Sequence, residues 1–173
     1  MFTGINHICV ATNDIERAVR TWSDRYGVGP WNLYSYDRGN MSAVVDGQPT
    51  DFAMRVALAQ LSPTSRIELI QPLDDHSPYA RSLARHGGAD HVHHVRFDVD
   101  DYDASVERLR GRLGVRTMMT AEFSGASGET PRFAGTYFAT EEELGFVVEI
   151  ARAPEGFAMP EPEAVYPRST ARS

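Results

Sequence analysis

The chain has 173 residues and a mass of 19.2 kDa, with 42% apolar and 24% charged residues and a formal net charge of −7. A chain of this length buries about 70% of its unfolded surface, so one core is expected to form without staples. The acidic balance excludes the basic footprint of a general nucleic-acid binder and of a protein drawn to anionic membranes. The single cysteine, Cys9, excludes an intramolecular disulfide and a zinc site built on several thiolates. No signal-like opening and no run near the roughly 18 apolar residues of a spanning helix occur, so a cytoplasmic location and no membrane partner are expected.

The first element is a strand around Asn6-His-Ile-Cys-Val-Ala-Thr-Asn-Asp14, which aligns without a gap on His93-His-Val-Arg-Phe-Asp-Val-Asp-Asp101. The offset is 87 residues (94 − 7), and such self-similarity points to a duplicated unit. After each strand, Ile15, Ala18, Val19, Trp22 and Tyr26 fall over Tyr102, Ser105, Val106, Leu109 and Leu113. Both series make one helical stripe. Asn13 or Asp14 and Asp100 or Asp101 supply N-caps, and Gly27 and Gly114 stop the helices. Arg55 to Leu61 and Ser65 to Gln71 flank Ser62-Pro63-Thr64 as a hairpin. A short helix is expected between Ser77-Pro78 and Gly87-Gly88. In the second half, strands over Arg132 to Ala139 and Gly145 to Ala151 flank a turn at 140–144. The fold class is therefore α+β, with paired βαβββ modules at about 4–75 and 90–152 packed as one pseudo-symmetric domain over 1–152. Ser124 to Pro131 is expected to be a mobile lid, and 153–173 an extended tail lying on a partner subunit.

The repeat also distributes chemistry. His7 and His94 are equivalent, and each half ends in a strand carrying one carboxylate between apolar neighbours, Ile67-Glu68-Leu69 and Val148-Glu149-Ile150. The spacings from histidine to carboxylate are similar, 61 (68 − 7) and 55 (149 − 94). Alternation along a strand turns Glu68 and Glu149 away from the helices and into the concave face. Buried carboxylates there demand a partner. Two histidines and two carboxylates suit a divalent cation of borderline or hard character. By the same alternation His93 and His94 point to opposite faces, so His86, His91 and His93 are read as solvated or capping residues rather than a metal tract. Cys9 is read as a small buried hydrophobe, and Asp74-Asp75-His76 as turn chemistry. Arg66 and Arg96 share the concave face and either hold an anionic substrate or pair with the carboxylates. Tyr137 and Phe138 either line the pocket or pack in the core, and Trp31, Tyr34 and Tyr36 shape an aromatic-lined pocket.

These segments resemble the vicinal oxygen chelate superfamily, which includes glyoxalase I, methylmalonyl-CoA epimerase, extradiol dioxygenases and bleomycin-resistance proteins. The resemblance spans residues 4–152 and rests on Asn6-His7-Ile8, Gly27, Glu68-Leu-Ile-Gln-Pro72, His93-His94-Val95 and Gly145-Phe-Val-Val-Glu149. It is nearest to the methylmalonyl-CoA epimerase branch, through the spacing of 26 residues from Glu68 to His94 (94 − 68), Gly29-Pro30-Trp31 and Gln71-Pro72-Leu73. It implies an open barrel with a metal site in its concavity, a homodimer, and His7, Glu68, His94 and Glu149 as ligands of Zn, Ni, Co or Mn. Glu68 departs from the glutamine usual in that branch. Asp51-Phe-Ala-Met-Arg-Val-Ala57 lacks the branch's additional catalytic glutamate. The activity implied is proton abstraction next to a substrate carbonyl through an enediolate, by Glu149 or Glu68, as in an epimerase, isomerase or glyoxalase-type lyase. The alternatives are a non-haem Fe ring-cleaving dioxygenase and a metal-free binding or resistance protein.

Overall fold

The computed structural model describes residues 1–126 and 132–167; most of the expected lid, from 127 to 131, lies outside them. The first half runs β1 (Phe2–Ala11), α1 (Ile15–Tyr26), β2 (Trp31–Tyr36), β3 (Met41–Val45), β4 (Gln48–Pro49), β5 (Met54–Ser62) and β6 (Ser65–Pro72). Next come α2 (Pro78–Arg85), β7 (His91–Val99), α3 (Tyr102–Glu107), β8 (Thr117–Phe123), β9 (Phe133–Phe138), α4 (Glu141–Leu144), β10 (Val147–Arg152) and β11 (Ala164–Tyr166). They form one open mixed sheet in the order β11-β2-β5-β6-β1-β7-β10-β9-β8-β3-β4. Among the described residues no helix is long and apolar enough to cross a membrane.

The duplication governs the pairing. β1 and β7 meet antiparallel at the centre, and each is flanked by the parallel last strand of its own half, β6 beside β1 and β10 beside β7. Asp14 caps α1 by accepting the Arg17 amide at 2.9 Å, and Asp101 caps α3 through the Ala104 amide at 2.9 Å. Each cap contributes about 1 kcal/mol. Gly27 ends α1 at φ 68°, in the left-handed region where a Cβ is costly. The second helix is less regular than its periodicity suggests. Beyond Glu107 it widens into a π turn over Arg108–Arg112, where Leu113 donates to Arg108 O at 3.0 Å. Gly111 lies inside this turn and weakens the ordinary helical register there.

Each half buries its helix against the convex face. Ile15, Ala18 and Val19 of α1 pack on Trp31, Ala57, Ile67 and Leu69. Leu109 packs on Phe138, Val148 and Ile150. Each such aliphatic side chain, once fully buried, stabilises by about 1.5–3 kcal/mol. Alternation then leaves the other face of β1, β6, β7 and β10 to line the concavity.

Two pairings join the halves beyond their centre. β3, from the first half, adds to β8 of the second. β11, from the tail, adds to β2 of the first. The tail thus lies on its own chain, where Glu163 accepts from the Ser35 amide at 3.0 Å and the Ser35 hydroxyl at 2.9 Å.

Candidate metal centre

The central strands bring the four repeated donors into two adjacent rows. In one row Arg66, His7, Arg96 and Glu149 are successive partners across β6, β1, β7 and β10. In the next, Glu68, Cys9, His94 and Val147 are successive partners. A pseudo-two-fold between β1 and β7 exchanges the rows. It maps His7 on His94 and Glu149 on Glu68, and it maps Arg96 on Cys9 and Arg66 on Val147.

His7 Nε2 and His94 Nε2 stand 3.1 Å apart. Glu68 Oε2 lies 3.4 Å from His7 Nε2 and 3.2 Å from His94 Nε2, and Glu149 Oε2 lies 3.2 and 3.1 Å from the same atoms. Ligands held about 2.0–2.2 Å from a cation stand roughly 3.0–3.5 Å from one another, a spacing that His7, His94 and Glu149 meet as one group, while Glu68 groups with His94 and Cys9. Glu149 Oε2 is buried and accepts no hydrogen bond, despite its closeness to both imidazoles. An oxygen left in that state is costly unless a cation satisfies it. Burial pushes the Glu149 carboxyl up, but the adjacent His7 and His94 outweigh it and hold it well below the usual range. Glu68 is lowered for the same reasons. Burial also works against charge on His94, while Cys9, Glu149 and Glu68 hold its value well above the ordinary one. The cluster gathers two carboxylates around a pair of imidazoles.

The supporting shell was less visible from the sequence. The expectation that His93 and His94 face opposite ways is corrected by a β-bulge: Cys9 pairs with His94 but Val10 with Val92. The displaced His93 turns inward, is 1% exposed, and sets its Nδ1 3.1 Å from Nδ1 of His94. With His94 Nε2 presented to the site, its Nδ1–H donates to His93, which fixes the ring as second partners of metal-ligating histidines do. Burial, with the charges of His94, His91 and Arg85, keeps His93 neutral and able to accept. Tyr79 of α2 packs over His93 at 4.6 Å and is fully buried. His93 stands over Asn6 in the repeat and Tyr79 falls between the halves, so repetition does not mark either of them. Gly135 is also required: a Cβ there would meet Glu149 Oε1 at 3.1 Å and Tyr137 Cε2 at 3.2 Å. His86 and His91 stack at 3.7 Å beside α2. His86 Nδ1 is bonded to Ser82 O, and His91 takes the Ser82 hydroxyl at Nε2. Asp74 accepts the His76 and Ser77 amides, as a turn residue does.

A cavity of about 220 Å³ opens beside the cluster and is lined by His7, Glu68, Glu149, Tyr137, Arg66 and Arg96. Tyr137 sets its ring edge-on to His94 at 5.2 Å. β5 contributes Met54, Val56 and Leu58 to the cavity, with no carboxylate among them. The tail closes one wall with Ala153, Phe157 and Met159. Phe157 packs 5.7 Å from Phe133, and Ala126 donates to Ala158 O at 3.0 Å. Trp31 is not in the cavity. Its parity puts it under α1, where its indole N–H donates to Val28 O at 2.8 Å. Tyr34 and Tyr36, on the alternate positions of β2, do lie on the concave side. Neither Arg66 nor Arg96 forms a salt bridge among the described residues, which decides against carboxylate pairing for them.

Comparison with known proteins places this geometry in a family. A curated relative from Cereibacter sphaeroides, an ethylmalonyl-CoA/methylmalonyl-CoA epimerase, is 29% identical over 124 residues, covering 70% of this chain and 79% of the relative. The crystal structure of methylmalonyl-CoA epimerase from Mycobacterium tuberculosis superposes with a TM-score of 0.62 at 24% identity, over 89% of this chain and 91% of that one. A Streptomyces coelicolor methylmalonyl-CoA epimerase in complex with 2-nitronate-propionyl-CoA gives 0.60 at 22% identity, over 87% and 97%. These two share the fold. Residues 6–133, most of the chain, match the glyoxalase/bleomycin resistance protein/dioxygenase superfamily, and the chain belongs to that superfamily.

Proposed function

We propose that this protein is a divalent-metal-dependent enzyme that removes a proton next to a substrate carbonyl, with epimerase or isomerase chemistry. The observation that carries this reading is the convergence of His7, Glu68, His94 and Glu149, at 3.1–3.4 Å between imidazole and carboxylate, at the floor of a cavity. These four residues would hold Zn, Ni, Co or Mn. Such a cation, when bound, supplies positive charge that stabilises the negative charge developing on the carbonyl oxygen.

The chain's own residues do the rest. Glu68 is the more accessible carboxylate, with 13% of its side chain exposed against 2% for Glu149. It has room to turn into the cavity and take the α-proton, a role that supplies about 10²–10⁴-fold. Glu149 comes from the opposite side of the histidine pair, so a proton removed by one carboxylate can be returned from the other, as inversion at carbon requires. Met54, Val56, Leu58 and Ile70 exclude water from the reacting carbon. The epimerase relative from Cereibacter sphaeroides supports the reaction class. The apolar β5 wall, where the resemblance leads one to expect a further glutamate, argues against carrying over its substrate. A cation held by four protein donors would have little room for substrate and dioxygen together, which favours proton transfer over ring cleavage.

Elemental analysis of protein purified without chelators should find near-stoichiometric divalent metal, lost in His7→Ala and Glu149→Ala. Deuterium uptake at the α-carbon of a panel of acyl thioesters and small oxo acids should fall at least about 100-fold in Glu68→Gln. Uptake at the wild-type rate in both Glu68→Gln and Glu149→Gln would reject the reading.

A further inference from the structure

The repeat is intact at the four donors and broken beside them. The pseudo-two-fold maps Arg66 on Val147 and Arg96 on Cys9, so two cations face two small apolar residues across the same cluster. Val147 and Cys9 are fully buried against the α2 side, while both arginines line the cavity. Arg66 and Arg96 are the Cα partners of His7 on its two sides, and both side chains line the same cavity as His7. Arg96 lies over the Phe133 ring at 4.8 Å, and its Nε is buried without a hydrogen-bond partner. A buried guanidinium nitrogen with no acceptor, beside a second arginine with no carboxylate, forms a fork suited to a planar anion.

Size narrows the anion further. The cavity of about 220 Å³ is the volume of roughly seven waters at ~30 Å³ each, enough for roughly seven to ten non-hydrogen atoms. It falls below the ~300–1,000 Å³ of pockets that enclose drug-sized ligands, and an acyl-CoA would leave most of itself outside. Phe157 and Met159 of the tail form one wall of this half-open space.

Resting on the proton-transfer reading above, we infer that the substrate is a small free 2-oxo carboxylate rather than an acyl thioester. Arg66 and Arg96 hold its carboxylate, the adjacent carbonyl faces the four-donor cluster, and its alkyl end lies on Met54, Val56 and Leu58. The arginines and the donors are neighbours across the sheet and line one cavity, an arrangement that suits a ligand with carboxylate and carbonyl on adjacent carbons. In the step itself the C3–H bond breaks, the proton goes to the Glu68 carboxylate, its electron pair forms the C2=C3 bond, and the carbonyl π pair moves to the C2 oxygen. Reprotonation at C3 completes the exchange.

The test uses 2-oxobutyrate and its methyl ester with the metal-loaded protein, reading binding by calorimetry and C3 deuteration by proton NMR in D2O, with propionyl-CoA in parallel. The acid should bind at least about tenfold more tightly than the ester. Arg66→Gln and Arg96→Gln should each weaken the acid about tenfold or more and leave the ester unchanged. Arg96→Lys should recover part of the loss, and Arg66→Gln keeps the test valid should Arg96→Gln fail to fold. Acid binding that ignores both arginines overturns the inference. Exchange of propionyl-CoA without exchange of the acid overturns it and leaves the proton-transfer reading standing. Arginine-dependent binding with no exchange of either compound supports the anion fork and removes the proton-transfer reading. Absence of both binding and exchange removes both.

Discussion

Replacing Gly135 by alanine tests whether the Glu149 carboxylate is held where the site needs it. The new Cβ would stand 3.1 Å from Glu149 Oε1 and 3.2 Å from Tyr137 Cε2, against ordinary contacts of about 3.5–4.0 Å. Both neighbours are buried, at 2% and 4% exposure, and have little room to retreat. The backbone accepts alanine here, because Gly135 lies within β9 and is not among the glycines with positive φ. Fewer unfolded conformations would then stabilise the variant by about 0.4–1 kcal/mol. Overpacking costs about 1–3 kcal/mol, so the net effect runs from about zero to a loss of about 2.6 kcal/mol. The larger consequence is at the cluster. Displacing Glu149 by a few tenths of an ångström exceeds the ~0.2 Å tolerance of ligand distances, so divalent-metal affinity should fall about 10–100-fold. Competition with a chromophoric chelator measures the affinity, and urea unfolding of the metal-free protein measures the stability. A variant that binds metal as the wild type does would show that Glu149 is not positioned through Gly135.

The remaining predictions concern the histidines and carboxylates. His93→Leu should leave His94 Nδ1 without its buried partner, costing about 1–3 kcal/mol and weakening metal binding about 10–100-fold; an affinity within threefold of wild type would contradict the positioning role. Glu68 and Glu149 have folded values below the ordinary 4.5, so the unfolded chain takes up their protons first as pH falls. Their stabilisation is therefore present above about pH 4.5 and lost as pH drops through the folded values. In the metal-free protein, urea midpoints should decline more gently below pH 4.5 in Glu149→Gln than in wild type, and parallel declines would refute this.

How far the fold could be read in advance depended on whether the signal was local. The α1 stripe from Ile15 to Tyr26 and the alternation in Ile67-Glu68-Leu69 and Val148-Glu149-Ile150 place their side chains through periodicity alone. Duplication then ties the two sets together. Alternation fails where the strand is irregular. The bulge at 92–94 turns His93 inward, and nothing in the spacing announces it. Aromatic character alone groups Trp31 with Tyr34 and Tyr36, but odd and even positions of one strand face opposite ways, and Trp31 packs under α1. β3 and β11 are 5 and 3 residues long and find partners far away in the chain. Their pairing depends on which sheet edges remain open, a property of the assembled fold.

Those two short strands bear on the history written in the repeat. Each half guards the other's outer rim, β3 closing β8 and β11 closing β2. The outermost strands of the whole sheet are then only two and three residues long, too short to template a neighbouring molecule. A copy excised from this chain would lose its borrowed border and present a long raw edge. The two units are thereby clasped, each outer rim covered by a strand from elsewhere in the chain.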